Sequence, residues 1–117
     1  MISTSLFVGL IMMLSANAQD LAKVATGSKV KLDNDQVRVL QVEFAPGDVA
    51  PWHQHPNHVI YALTAGKLEI TDKDKPATVL DVKPGDTMYL PAVTHMAKNI
   101  GTTTVKLIVT ELKPTKM

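Results

Sequence analysis

Apolar and polar positions alternate along most of the chain after residue 25, and no segment there has sustained helical periodicity. Candidate strands occur at 30–32, 36–44, 50–54, 59–63, 67–71, 78–82, 87–90, 95–99 and 103–112. Several are rich in Val, Leu or Ile, and 50–54 is predicted to be extended because Pro51 and Pro56 keep the residues before them out of the helical region. Gly, Pro, Asn and Asp separate the candidate strands and form turns. Many short strands with turns every ~8–12 residues predict an all-β fold, an antiparallel sandwich or barrel.

Two details of this pattern predict how strands meet. The apolar face of the segment 36–44 changes parity between Val39 and Leu40, which predicts a bulge or burial on both faces. The segments 59–63 and 67–71 flank a short Thr-Ala-Gly sequence, and this arrangement predicts a β-hairpin.

The N-terminal region has a different pattern. Residues 2–18 carry no charged side chain, and an apolar core from Leu6 to Leu14 is followed by Ala16-Asn17-Ala18. A short apolar run before Ala-x-Ala is typical of a secretory signal peptide, here cut after Ala18, and it is too short to span a bilayer unaided. Because Lys and Arg are absent from its start, a buried N-terminal helix and a start codon placed too far downstream stay open as alternatives.

These patterns predict a domain organisation. Residues 1–18 are a signal peptide, 19–36 an N-terminal arm with a first short strand, 37–112 a barrel, and 113–117 a C-terminal tail. The predicted location of the mature protein is therefore the periplasm or the extracellular medium, with no membrane association after cleavage.

Composition narrows the function. The chain has 117 residues, of which 45% are hydrophobic and 20% charged, and its net charge is +1. This length predicts one domain, and scattered basic residues without a run argue against nucleic acid as a partner. With no cysteine in the sequence, disulfides, thiolate ligands and a cysteine nucleophile are excluded.

The histidines carry the candidate chemistry. His53 and His55 are two residues apart in an extended segment, so their side chains point to the same side of a strand. His95, in a later segment, can approach them once a sheet closes. Three neutral imidazoles favour a divalent transition metal, which could be Fe, Zn, Ni, Cu or Mn. Because imidazole must be neutral to bind a metal, we expect binding to weaken below about pH 6.

The segments around these histidines resemble the two motifs of the cupin superfamily. Gly47, His53, His55 and Gly66 have the spacing of the first motif, although Val59 stands where that motif has its Glu. Gly85, Pro91, His95 and Asn99 match the anchors of the second, with Val93 in place of the usual Gly and one residue fewer before the histidine. The resemblance covers about residues 37–112.

The resemblance implies an antiparallel double-sheet jelly-roll barrel with the metal site inside it. Cupins with three histidine ligands include thiol and dicarbonyl dioxygenases, so metal-dependent oxygen chemistry on a small molecule is one expectation. A non-catalytic module that binds a small molecule or a metal is the alternative, because the motif lacks its Glu. Cupins of this size often pair through their sheets, which implies a homodimer. By the same resemblance, Asn99 has a structural role.

Strand alternation assigns the remaining pocket residues. If the strand continues through Pro56, Val59 and Tyr61 share the inward face of His55, and His58 lies at the surface. Pro56 could instead reverse the alternation, and His58 would then be a fourth ligand or a general base. Tyr89 has the parity of His95 and is a second candidate for the pocket wall, with simple core packing as the alternative for both tyrosines.

Overall fold

The computed structural model describes residues 20–21 and 25–114. The strands are β1 (Ser28–Asp33), β2 (Val37–Phe44), β3 (Val49–His55), β4 (His58–Ala62), β5 (Gly66–Asp72), β6 (Thr78–Val82), β7 (Thr87–Leu90), β8 (Val93–Asn99) and β9 (Val105–Leu112). The predicted signal peptide, residues 1–18, lies outside the described residues. In the part of the chain that is described, no helix is long and apolar enough to cross a membrane.

The strands form two sheets that face each other. One sheet has five strands in the order β1-β2-β9-β4-β7, and the other has four in the order β3-β8-β5-β6. Every strand pairing is antiparallel. Only β1 and β2, and β5 and β6, are sequential strands of the same sheet; at every other connection between the strands the chain changes sheet. This is the predicted all-β, double-sheet jelly roll.

The predicted hairpin between segments 59–63 and 67–71 is wrong. Strand β4 pairs with β7 and β9, and β5 pairs with β6 and β8 in the other sheet. Between them, the hydroxyl of Thr64 accepts a hydrogen bond from the Lys106 amide at 2.8 Å. The chain then crosses against β9 at Gly66, where a Cβ atom would lie 2.2 Å from Cγ2 of Val105. Only glycine fits this crossing, and so a turn-like sequence connects two sheets here.

The core lies between the two sheets. Inward residues of β2 and β9 pair directly, as Leu40 with Val109, Val42 with Leu107 and Phe44 with Val105, and all six are buried. The bulge predicted within the segment 36–44 is absent, since β2 pairs with β9 in unbroken register from Val37 to Phe44; a bulge lies instead on the neighbouring strand β1. The β1–β2 register shifts between Val30 and Leu32, because β1 takes up the extra residue.

The turns that open the two motif segments follow the prediction. Gly47 has a φ angle of 87° and Gly85 one of 90°, a region that residues with a Cβ rarely adopt. Asn99 closes the second segment. Its side-chain amide donates to the carbonyls of Phe44 at 2.9 Å and Thr103 at 2.8 Å, which supports the structural role expected for it.

Candidate metal centre

Three imidazoles meet at one point inside the barrel. His53 and His55 lie on β3, and His95 on β8 is the direct cross-strand partner of His53. Their ring centroids are 4.7 to 5.2 Å apart. One ring nitrogen from each histidine lies within 4.8 Å of the other two, and all three residues are buried. Strand alternation therefore brings the pair on β3 together, and the β3–β8 register adds the third.

Hydrogen bonds fix which nitrogen of each β3 histidine is available. Nδ1 of His53 is 2.6 Å from the carbonyl oxygen of Pro51, and Nδ1 of His55 is 2.7 Å from Oε2 of Glu111. Carbonyl and carboxylate oxygens accept, so both Nδ1 atoms carry the proton and donate it. The lone pair of each neutral ring is then on Nε2. Metal-binding histidines generally have this arrangement, in which the second nitrogen donates to an oxygen.

His95 is held less tightly. Its Nδ1 lies 3.6 Å from Oδ1 of Asp72, which is too long for a hydrogen bond. Asp72 is the cross-strand partner of His95 on β5. The carboxylate is therefore near enough to attract the Nδ1 proton electrostatically.

Burial lowers the pKa of His53 and His95 and so keeps these two rings neutral. Loss of hydration is the largest effect on both rings, and it lowers the pKa of His53 to about 4 and that of His95 to about 3. For His95, the neighbouring imidazoles lower the pKa further. Neutral imidazole is the form that binds metal, so His53 and His95 are ready to bind over the physiological pH range.

A buried carboxylate behind His55 was missed by the sequence reasoning. Glu111, on β9, accepts from His55 through Oε2 and from Nε of Arg38 through Oε1, at 2.7 and 2.9 Å. Arg38 also donates to both carboxylate oxygens of Asp20, each at 2.7 Å. The alternation of Val105, Leu107 and Val109 continues to position 111, and a charged residue on that buried face was the available signal.

Charges in this chain of contacts stabilise one another. Burial alone would raise the pKa of Glu111, but the hydrogen bonds from His55 and Arg38 outweigh it and lower the pKa. The hydrogen bond to Asp20 is the largest cause that raises the pKa of Arg38. Glu111 is therefore an anion that fixes the ring of His55 without reaching the position of a ligand.

The first of the two positions predicted for His58, at the surface, is wrong, and the inward position is the one observed. His58 is 0% exposed. Strand β3 ends at His55 and β4 begins at His58, so Pro56 and Asn57 interrupt the alternation of side chains between the two faces of the strand. Its ring stacks on that of His55 at a centroid distance of 4.5 Å. Nδ1 donates to the carbonyl of Pro56 at 2.8 Å, and Nε2 is buried without a partner in the described chain. Burial lowers its pKa. His58 is inward, but outside the group of three nitrogens.

Interruptions of the alternation at Pro56 and at Pro91 place three predicted pocket residues outside the pocket. Val59 and Tyr61 lie on the outer face of β4, opposite to His58 and Ile60, and Tyr61 is 45% exposed. Tyr89 is 58% exposed on β7, because Pro91 and Ala92 separate β7 from β8 and break its parity with His95. None of the three lines the cavity described next.

A cavity of about 370 Å³ adjoins the three histidines. Most of its lining is aliphatic or aromatic and comes from both sheets; examples are Phe44, Leu68, Val82, Met88 and Leu107. The remaining polar side chains of the lining are Asp72, Lys75 and Thr78. A mostly apolar cavity of this size with a few polar groups is typical of a small-molecule site.

The donors suit a divalent transition metal. Three neutral nitrogens bind Zn, Fe, Ni, Cu or Mn and do not choose among them. With no carboxylate among the three, a bound divalent ion keeps its full charge of about +2, and open coordination positions favour an anion or hydroxide.

Comparisons with known proteins agree with this geometry. The model of the Cupin_2 family, described as a cupin domain, matches residues 40–111. No curated protein is significantly similar to the chain. Among solved structures, a cupin domain from Bordetella pertussis Tohama I is 26% identical, with 74% of this chain and 92% of that one covered and a TM-score of 0.70.

Two further structures show the same fold at lower identity. A cupin superfamily protein from Desulfitobacterium hafniense is 22% identical, with 74% and 76% of the two chains covered and a TM-score of 0.58. A cupin family protein with a double-stranded β-helix fold from Methanocaldococcus jannaschii is 18% identical, with coverage of 80% and 87% and a TM-score of 0.60. Since the family model spans both histidine segments, the chain belongs to the cupin family Cupin_2.

Proposed function

We propose that this protein binds one divalent transition metal through Nε2 of His53, His55 and His95, and acts on a small molecule in the adjoining cavity. The observation that carries the proposal is the convergence of three buried imidazole nitrogens within 4.8 Å of one another. The Nδ1–H groups of His53 and His55 on β3 donate hydrogen bonds that are directed away from that point. Lone pairs that are aimed at one another and lack protons are destabilising unless a cation lies between them.

The chain's own residues have separate tasks in this proposal. His53, His55 and His95 hold the ion, and Glu111 keeps the ring of His55 in its binding orientation. The apolar wall excludes water from the ligand, which strengthens electrostatic interactions at the site. A bound ion supplies Lewis acidity and open coordination positions for substrate.

Oxygen chemistry is the finer form of this proposal. With Fe(II) as the metal, the protein would catalyse a dioxygenase-like reaction on its substrate, as the thiol and dicarbonyl dioxygenases among three-histidine cupins do. The absence of a carboxylate from the group of three nitrogens supports this form. Oxygen consumption that depends on added Fe(II) and is lost in His53→Ala would support it, and substrate binding without consumption would count against it.

A non-catalytic binding module is the second candidate. Beyond the histidines, the charged side chains that line the cavity in the described chain are Asp72 and Lys75. His58, the candidate general base, does not line it. Tight metal and ligand binding without turnover of any substrate would favour this candidate.

Metal analysis of full-length protein purified without a histidine tag tests the central proposal. We expect about one metal per chain after reconstitution. His53→Ala and His95→Ala should each lower affinity at least ~10-fold, because a fixed donor is lost. Gln54→Ala is the matched control, since Gln54 lies between the β3 histidines and is exposed. Metal retention in the histidine variants equal to that of Gln54→Ala would refute the proposed ligands.

We also propose that the protein is a homodimer through the outer face of the five-stranded sheet. One uncharged row crosses all five strands by direct pairing, and a second crosses four. The rows contain Leu32, Val39, Thr110, Val59 and Tyr89, and Gln41, Ile108, Tyr61 and Thr87. The rows span about 20 Å at ~4.8 Å per strand, and these uncharged rows can meet their own copies without repulsion.

Light scattering over a range of concentrations tests the homodimer. Tyr89→Lys should yield a monomer, because it adds a like charge on both sides of the interface. Trp52→Lys is the control, since Trp52 is comparably exposed on β3 in the other sheet. A wild-type protein that is monomeric at every concentration, or a Tyr89→Lys protein that stays dimeric, would contradict this interface.

Export is proposed from the sequence alone. The apolar run and the Ala-x-Ala site in residues 1–18 support cleavage before Gln19. Mass spectrometry of the protein from an expressing bacterium is the test. A periplasmic or secreted product that begins at Gln19 is expected, and a cytoplasmic product that retains residues 1–18 would contradict export.

A further inference from the structure

The cavity is polar at one end and apolar at the other. The pairings of β3, β8 and β5 align His53, His95 and Asp72 in one row. Lys75 lies in the turn that follows Asp72, where its amide donates to the Asp72 carbonyl at 3.0 Å. These polar groups are therefore at the same end of the barrel.

From this row, the wall becomes apolar in the direction of Leu68. Ile70 and Leu68 follow Asp72 on the inner side of β5, and Leu80 and Val82 follow Thr78 on β6. At ~3.3 Å per residue, the four residues from Asp72 to Leu68 correspond to about 13 Å of wall. A ligand that fills this space has a polar group at the histidine end and a hydrocarbon body beyond it.

Asp72 and Lys75 are the two charged residues at the polar end. Their partners indicate which charge on a ligand this end favours. Asp72 already faces the Nδ1 atom of His95 at 3.6 Å. Lys75 forms no ion pair with a carboxylate of the described chain. It is the one lysine or arginine among the described cavity-lining residues. Asp72 is thus in contact with a polar N–H group, and Lys75 is the charged group at this end that has no partner in the described chain.

We infer that the cavity takes a small aliphatic monocarboxylate, with its carboxylate at Lys75 and its hydrocarbon chain along Leu68, Leu80 and Val82. The inference rests on the proposed function only in assigning the ligand to the same cavity. A primary amine would place a cation beside Lys75. A second carboxylate at the far end would be buried among aliphatic side chains without a partner, which is strongly unfavourable.

Calorimetric titration of the full-length protein tests the inference, with and without added Zn²⁺. The probes are butanoate, hexanoate, hexanol and hexylamine. Hexanoate should bind more tightly than butanoate by roughly 4-fold per added methylene, because each is buried in the apolar part. Hexanoate should also bind more tightly than hexanol, and hexylamine should bind most weakly.

Lys75→Met should weaken hexanoate about 5-fold and leave hexanol unchanged, which is the upper range for one exposed charge pair. Added salt should reduce this difference. Lys73→Met is the matched control, since Lys73 lies in the same turn but does not line the cavity. Equal melting temperatures of the two variants would show that the fold is unaffected.

The outcomes separate this inference from the proposed function. The inference is overturned if affinity does not rise from butanoate to hexanoate, if Lys75→Met does not weaken hexanoate, or if hexylamine binds more tightly than hexanoate. Each of these results would count even if Zn²⁺ binds to the histidines. Hexanoate binding that depends on Lys75 in a protein that takes up no metal supports the inference and overturns the metal proposal. Hexanoate binding that requires Zn²⁺ and is unchanged by Lys75→Met also overturns the inference, because the carboxylate is then bound to the metal.

Discussion

Replacement of Glu111 by glutamine tests whether the carboxylate behind His55 prepares the metal site. Wild-type Glu111 accepts two hydrogen bonds on separate oxygens, from His55 at 2.7 Å and from Arg38 at 2.9 Å. A glutamine side chain has one oxygen and one NH₂ group. In Glu111→Gln, whichever way the amide is oriented, one of the two N–H donors faces another donor.

The size of the effect follows from this geometry. A hydrogen bond to a charged group contributes about 1.5–3 kcal/mol, and a buried donor left unsatisfied costs a similar amount. We expect Glu111→Gln to lower the free energy of unfolding by about 2 kcal/mol. Metal affinity should fall ~10- to 100-fold, because His55 loses the partner that fixes its Nδ1 proton.

The pH dependence gives an independent check. The pKa of Glu111 is lowered in the folded protein, so its contribution is present above its unfolded pKa and is lost as pH falls through the folded pKa. Glutamine does not titrate. The difference in unfolding free energy between the two proteins should therefore be constant at neutral pH and shrink below about pH 4.5.

Urea unfolding and competition with a metal-binding dye measure the two effects. Glu43→Gln is the control, since Glu43 lies on the outer face of β2 and is exposed. Glu111→Gln protein with the stability and metal affinity of Glu43→Gln would refute the role assigned to Glu111. A loss of stability with unchanged metal affinity would show that Glu111 supports the fold and does not position His55.

Four further predictions concern the placement of individual residues. Val59→Glu should leave metal affinity unchanged because Val59 is on the outer face; a larger metal-induced rise in melting temperature than in wild type would contradict this. His58→Phe should keep the stack on His55 and retain metal, so a loss as large as in His53→Ala would instead make His58 a ligand. Without metal, stability should decrease as pH falls from about 6.5, the unfolded pKa of histidine, through the lowered values of about 4 for His53 and 3 for His95, since the unfolded chain binds more protons there. A urea midpoint that does not change between about pH 4 and pH 7 would contradict those pKa values. Because both pKa values are lowered, protons should compete with metal for His53 and His95 only well below the pH of about 6 expected from free imidazole.

Local sequence was sufficient for the parts of the site that lie within one strand. Alternation alone puts His53 and His55 on one face, and it gives the inward positions of β9. Glycines and prolines at 46–47 and 83–85 mark the turns because few other residues adopt those backbone angles. Both facts depend on neighbours a few residues apart, which is the range over which a sequence pattern determines conformation.

Alternation failed wherever a proline interrupted the extended chain. Pro56 and Pro91 each lie between two strands that belong to different sheets, so parity does not carry across them. For this reason His58 is buried on the inner side, while Val59, Tyr61 and Tyr89 are on the outer face. The turn geometry that sets the new parity depends on where the next strand pairs, and this is a property of the whole barrel.

The partners of the histidines were decided by the tertiary structure alone. Glu111 is separated from His55 by 56 positions, and Arg38 from Glu111 by 73. They meet because β9 pairs with both β2 and β4 in the sheet opposite to β3. The sequence by itself determined which residues of one strand share a face, since side-chain direction has a period of two. Which interior residues touch was fixed by strand order and register, because those depend on hydrogen bonding and burial over the whole chain.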